Sequence, residues 1–139
     1  MRTGLTIAVA VVALATLSAS VRADEGVRGT YAVRFDKVVD NCKQTGIGLS
    51  RADVKLAGSP RALTVTVPMM PVMRGRVGKA GKLHAKAKKG KTGIAGVTGS
   101  FSISGRVKKR SIEVVLIAEY FSGDKPLCTQ SWTGTGKRR

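Results

Sequence analysis

Apolar and polar residues alternate with a period of two along most of the chain beyond residue 28, the pattern of strands with one buried and one solvated face. Tyr31, Val33 and Phe35 alternate with Ala32, Arg34 and Asp36, and Leu63, Val65, Val67 and Met69 lie opposite Thr64 and Thr66. Val97, Phe101, Ile103 and Val107 oppose Thr98, Ser100, Ser102 and Ser104, and Cys128 and Trp132 oppose Thr129, Ser131 and Thr133. The longest apolar run, Ser111 to Phe121, is rich in β-branched and aromatic residues and free of Gly and Pro, which predicts a strand near the centre of a sheet. Ile112, Val114, Leu116, Ala118 and Tyr120 share one of its faces; Glu113, Val115, Ile117, Glu119 and Phe121 share the other. Val115 and Ile117 predict a cover for that second face, from a loop, a partner chain or the N-terminal segment.

Turn residues punctuate the pattern. Asp40-Asn41-Cys42 and Gly46 mark a loop, Gly58-Ser59-Pro60 a turn, Lys88-Lys89-Gly90-Lys91 another, Lys108-Lys109-Arg110 a tight connection and Ser122 to Pro126 the last. The parity change between Leu49 and the set Ala52, Val54, Leu56 predicts a bulge or a late strand start. Pro68 and Pro71 cannot donate to a ladder, so the third strand stops there or lies at an edge. A three-residue loop Lys79-Ala80-Gly81, with Gly81 left-handed, pairs Val77 with Leu83, Gly75 with Ala85 and Met73 with Ala87, and so gathers small and apolar residues on one face. The other face then carries Arg76 beside His84 and Arg74 beside Lys86, with Lys82 and Lys88 at the ends. Gly93, Gly96 and Gly99 fit strand positions where a sheet coils better than a phosphate loop, because no helix or Gly-Lys-Ser/Thr element follows. The tail Gly136 to Arg139 reads as frayed.

These elements sum to about eight short strands with short connections, an all-β chain whose simplest topology is a single antiparallel up-and-down β-barrel. A β-sandwich of the same strands is the alternative. If the first and last strands pair antiparallel to close the barrel, Cys42, after the first strand, meets Cys128, near the start of the last.

The N-terminus changes the compartment. A basic start, an apolar stretch from Leu5 to Leu17 and Val21-Arg22-Ala23 before Asp24-Glu25 are the parts of a helical secretory signal peptide spanning 1–23, with the barrel domain at 24–139. The apolar stretch is short for a bilayer span. The protein is thus expected to be secreted or periplasmic, where an even pair of cysteines forms a disulfide, and two distant Cys with one His make no metal site. The formal charge is +17, and the leader carries only two basic residues of that excess. Such a charge favours anionic partners or simply keeps an exported domain soluble.

At the level of architecture the chain resembles the lipocalin and avidin-like small barrels. Their first strand often opens with a Gly-x-Trp turn, and Gly29-Thr30-Tyr31 is similar to it with Tyr in the Trp position. The resemblance spans the mature chain in strand count but lacks the helix that lipocalins carry after the last strand. It implies the barrel and no binding residues.

Candidate chemistry is concentrated in charge. Arg74, Arg76, Lys82, His84, Lys86 and Lys88 form a cationic ladder, joined by the turn Lys108, Lys109 and Arg110. Like charges facing each other on a sheet repel, a cost that an anionic partner removes; edge lysines also discourage aggregation. Lipid headgroups or acidic glycans are the expected partners. Nucleic acid fits less well, since three Phe, two Tyr and one Trp leave few platforms for stacked bases. His84 has no nucleophile or orienting carboxylate in its hairpin, and Glu113 and Glu119 lie about 20 Å apart along one strand, so no enzyme and no cofactor are expected. The competing readings are a carrier whose cavity is lined by Tyr31, Val33, Val65, Phe101, Ile103, Leu116 and Trp132, and an exported inhibitor of an acidic hydrolase that uses its basic loops.

Overall fold

The computed structural model describes residues 27–43 and 45–139, so the segment 1–23 expected to be a leader, and the start of the expected domain, lie outside the described residues. Consecutive antiparallel strands close into one barrel: β1 (Gly29–Asp40), β2 (Arg51–Ser59), β3 (Ala62–Thr66), β4 (Met73–Val77), β5 (Lys82–Lys91), β6 (Val97–Lys108), β7 (Ser111–Ser122) and β8 (Lys125–Arg138). β1 pairs antiparallel with β8 from Tyr31 opposite Arg138 to Asp40 opposite Gln130. The up-and-down barrel therefore stands and the sandwich does not. This closed barrel is consistent with a calycin-like architecture.

Alternation places the core inside. Ile112, Val114, Leu116, Ala118 and Tyr120 of β7 are buried, as are Tyr31, Val33 and Phe35 of β1, and they join Val54, Leu63, Val65, Phe101, Ile103 and Trp132 in one cluster. Apolar residues inside and polar ones outside are the reverse of a lipid-facing barrel, whose outer band is apolar. The fit depends on a missing side chain at Gly134, where a Cβ would stand 2.8 Å from side-chain atoms of both Phe35 and Val33.

The β4 to β5 hairpin adopts the expected register, from Val77 opposite Leu83 to Arg74 opposite Lys86. Its three-residue loop is closed by the Gly78 N–H donating to Lys82 O at 2.8 Å. Ala80 as well as Gly81 is left-handed, with φ of 58° and 74°. The late start of β2 at Arg51 accounts for the parity change after Leu49. β6 passes to β7 through Lys109 and Arg110, with Lys109 at φ 55°.

Several local expectations are corrected. The strands are not uniformly short: β1, β6 and β7 each run 12 residues and β8 runs 14. Lys88 to Lys91 is strand, because a register shift between Ala87 and Gly90 absorbs the extra residues as a bulge. The turn follows it, tied by the Thr92 hydroxyl donating to Val97 O at 2.8 Å, and holds Gly93 and Gly96, so that of these three glycines Gly99 alone lies in β6. Met69 points out rather than in, since after Pro68 it takes φ 69° and the chain folds back, with the Met70 N–H donating to Val67 O at 3.2 Å. Met70 takes the buried place instead. The tail is held rather than frayed: the Arg138 N–H donates to Arg110 O at 2.7 Å, the Arg139 N–H to Thr30 O at 2.9 Å, and the Arg139 guanidinium bonds Asp53 at 3.0 Å.

The second face of β7 is covered in part. The Lys89 ammonium lies 4.2 Å from the centre of the Phe121 ring, and Ile117 is half-buried opposite Ser102 and Ser131. Val115 stays 40% exposed.

Candidate anion-binding face and the loop end

The alternation that buries Met73, Leu83 and Ala85 turns the intervening residues of β4 and β5 outward. Arg74 therefore faces Lys86, and Arg76 faces His84, as direct cross-strand pairs. β6 extends the rows with Ser102 beside Lys86, Ser104 beside His84 and Arg106 beside Lys82. All six ladder residues are exposed.

An open hollow of about 840 Å³ lies on this outer surface, bordered by Arg76, Lys82, His84 and Arg106, with hydroxyls from Ser104, Thr133 and Thr135. A neighbouring open hollow of about 660 Å³ shares Arg106 and adds Lys108, Lys109 and Lys137. The barrel thus joins part of the ladder to the β6 to β7 turn, while Arg74, Lys86 and Lys88 continue along β4 and β5 toward the opposite end. Arg106 and Lys137 were missed in the sequence because they enter through the pairing of β5 with β6 and of β7 with β8. No local pattern carries that information.

Glu113 borders the first hollow too. It faces Arg106 across the β6 to β7 ladder, whereas His84 faces Ser104. His84 and Glu113 are thus two strands apart, about 10 Å at ordinary strand spacing. Among the described residues no hydrogen bond joins them, and no group of three or more His, Cys, Asp or Glu could hold a metal ion. The visible ion pairs, Arg34 with Asp36, Lys37 with Asp40, Lys89 with Asp124 and Arg139 with Asp53, lie outside the ladder.

The residues assigned to a ligand cavity, Tyr31, Val33, Val65, Phe101, Ile103, Leu116 and Trp132, are all buried in the common core. Trp132 is fully buried opposite Leu116, and its indole N–H has no hydrogen-bond partner among the described residues. Phe101 and Tyr120 meet edge to face, with ring centres 6.0 Å apart.

A cluster of polar side chains lies inside the barrel at the end that carries the β1 to β2 and β7 to β8 connections. A register shift in β1 between Lys37 and Val39 turns Asp40 toward Gln130 of β8. Gln130 is 2% exposed, and its amide N–H groups donate to Asp40 Oδ2 at 3.1 Å and Ile47 O at 3.0 Å. Its Oε1 accepts the Ile47 N–H at 2.8 Å and the Tyr120 hydroxyl at 3.1 Å. The Cys42 N–H, the Gln130 amide and Lys37, in that order, hold the Asp40 carboxyl below the usual carboxylate range. Burial, reinforced by the Asp40 charge, pushes the Tyr120 phenol up to about 12. The Cys42 to Cys128 disulfide stands beside this cluster across the closing seam, with its Cα atoms 5.2 Å apart. Gln130 did have a signal in the sequence: it shares the inward parity of Cys128 and Trp132.

The disulfide is compatible with an oxidising, exported location. Among the described residues no helix is long and apolar enough to cross a membrane. No protein-family model matches the chain, and comparison with curated proteins and with solved structures gives no match.

Proposed function

We propose that this protein is an exported, non-enzymatic β-barrel that binds an anionic surface or polymer, a lipid headgroup layer or an acidic glycan, through the outer face of β4, β5 and β6. The reading rests on one observation: Arg74 faces Lys86 and Arg106 faces Lys82 as like-charged cross-strand neighbours, with Arg76 beside His84 in the row between them. Side chains that repel in the free protein gain most from an anion that bridges them. The serine and threonine hydroxyls around the hollow add short polar donors suited to phosphate, sulfate or carboxylate oxygens. The packing of the carrier's intended lining into one core cluster is why the outer face is preferred to an interior ligand.

The test is binding of the oxidised protein to anionic vesicles, neutral vesicles and an acidic glycan, at low and high salt. Binding to an anionic titrant that collapses at high salt and weakens in Arg74→Ser, Arg76→Ser and Lys86→Ser supports the assignment. Indifference to every anion, or binding unchanged by the triple substitution, overturns it.

A further inference from the structure

In an up-and-down barrel alternate connections share an end, so the segments 41–50, 67–72, 92–96 and 123–124 project together. Large exposed apolar side chains collect there. Met69, Val72 and Ile94 lie on the connections themselves, Val38 and Val39 on the last residues of β1, and Leu127 near the start of β8; each is at least 41% exposed. Among the described residues the remaining large exposed hydrophobic is Val115, midway along β7. The opposite end has Arg61, Lys79, Lys109 and Arg110 on its connections and none of these apolar residues.

Three features narrow what covers the loop end. Lys43, Lys91 and Lys125 are exposed on the same connections and strand ends, interleaved with the apolar tips. The tips sit on four separate chain segments: Met69 and Ile94 border an open hollow of about 470 Å³ with Lys91, Ile47 and Pro71, and Leu127 borders another of about 390 Å³ with Lys43 and Cys42. A second copy of the chain would bring the same lysines and the same formal charge of +17 against them. A layer that is anionic at its surface and apolar a few ångströms deeper matches this order, since lysines stay at headgroup depth while short apolar side chains pass below it.

We infer that the protein docks end-on to an anionic phospholipid bilayer, inserting Val39, Met69, Ile94 and Leu127 at its loop end while Lys43, Lys91 and Lys125 contact the headgroups. This surface is distinct from the basic outer face, and either can fail without the other. The disulfide and the Gln130 clamp hold Cys42 and Ile47 against the barrel, so these two points of the loop end are fixed before it meets the bilayer.

The experiment is co-sedimentation of the oxidised full-length domain with phosphatidylglycerol-containing and pure phosphatidylcholine vesicles, run beside binding to a soluble acidic glycan. Ile94→Ser with Leu127→Ser should reduce partitioning into the anionic vesicles by roughly tenfold or more and leave glycan binding intact. Arg74→Ser with Arg76→Ser should weaken glycan binding and long-range attraction to the headgroups, but leave the apolar insertion of the loop end into bound vesicles in place. Both sites of the first pair are exposed, and an unchanged melting temperature confirms that the fold persists. An Ile94→Trp variant should be quenched by nitroxide-labelled lipid, whereas Trp132, deep in the core, should not. Vesicle binding that survives the loop substitutions, absence of quenching, absence of vesicle binding altogether, or a self-association removed by the same substitutions would each overturn the inference.

Discussion

Gln130 holds the backbone of Ile47 at both ends, accepting its N–H at 2.8 Å and donating to its carbonyl at 3.0 Å, across 83 positions of sequence. A side-chain amide thus takes the place that a neighbouring strand would fill, where the long connection after β1 crosses the barrel end. Gly46 lets it do so: a Cβ there would stand 2.5 Å from Gln130 Nε2.

Replacing Gln130 by Leu keeps the volume but strands four partners, the Ile47 N–H and carbonyl, Asp40 and the Tyr120 hydroxyl. Unsatisfied buried groups make the expected loss about 2 to 3 kcal/mol in urea unfolding. Amide exchange should accelerate most at Ile47. A loss spread evenly over the barrel, with Ile47 still protected, would show that the clamp does not hold this segment.

The disulfide acts at the same seam by a different route. It closes a loop of 86 residues between the end of β1 and the start of β8, limiting the unfolded chain. Cys42→Ser with Cys128→Ser should cost about 2 to 5 kcal/mol, read as a lower denaturant midpoint. The barrel should still close, because the β1 to β8 ladder spans Tyr31 to Asp40 without it. Far-ultraviolet circular dichroism resembling the parent's below the new midpoint checks that statement.

Much of this seam was legible in the sequence. Strand order, barrel closure and the Cys42 to Cys128 pairing followed from turn spacing and cysteine placement. The β4 to β5 register followed from Gly81 and from the demand that Val77, Leu83, Gly75 and Ala85 share a face. Met69 and the Lys88 to Lys91 segment were misread for a common reason: a left-handed residue and a bulge each shift parity, and nothing in a period of two announces either. The basic face was legible within its hairpin, but Arg106 and Lys137 join it through pairings fixed by the closed barrel.

Acid and base should weaken the protein at opposite extremes. The Asp40 carboxyl is lowered in the folded state, chiefly by the Cys42 N–H, so its contribution is present above the ordinary carboxylate range and lost as pH falls through the folded value. Tyr120 is raised from 10.0 to about 12, chiefly by burial, so its contribution is full below 10.0 and lost as pH rises toward about 12. Thermal melts across pH should show both flanks, and Asp40→Asn should flatten the acid one. Absorbance titration of the phenolates should place both tyrosines above their ordinary value, since burial raises Tyr31 as well.

The close approach of β6 and β7 makes a sharper claim about backbone packing. At Gly105 a Cβ would lie 2.0 Å from Glu113 O and 2.7 Å from Val114 Cα, backbone atoms that cannot turn aside as a side chain does. Gly105→Ala should therefore force the two strands apart beneath the hollow bordered by Arg106 and Glu113, at a cost of about 1 to 3 kcal/mol. At Gly93, in the turn before β6, nothing lies within 4 Å of the added carbon, and Ala there should leave the melting temperature close to the parent's. The pair separates packing from glycine's general entropic effect, which acts on both unfolded chains alike. Anion binding adds a second readout: if Arg76, His84 and Arg106 act together, Gly105→Ala should weaken it below the temperature of unfolding, with no charge removed. Equal melting temperatures for the two variants would mean that the strands spread at little cost and that the hollow's shape is set elsewhere.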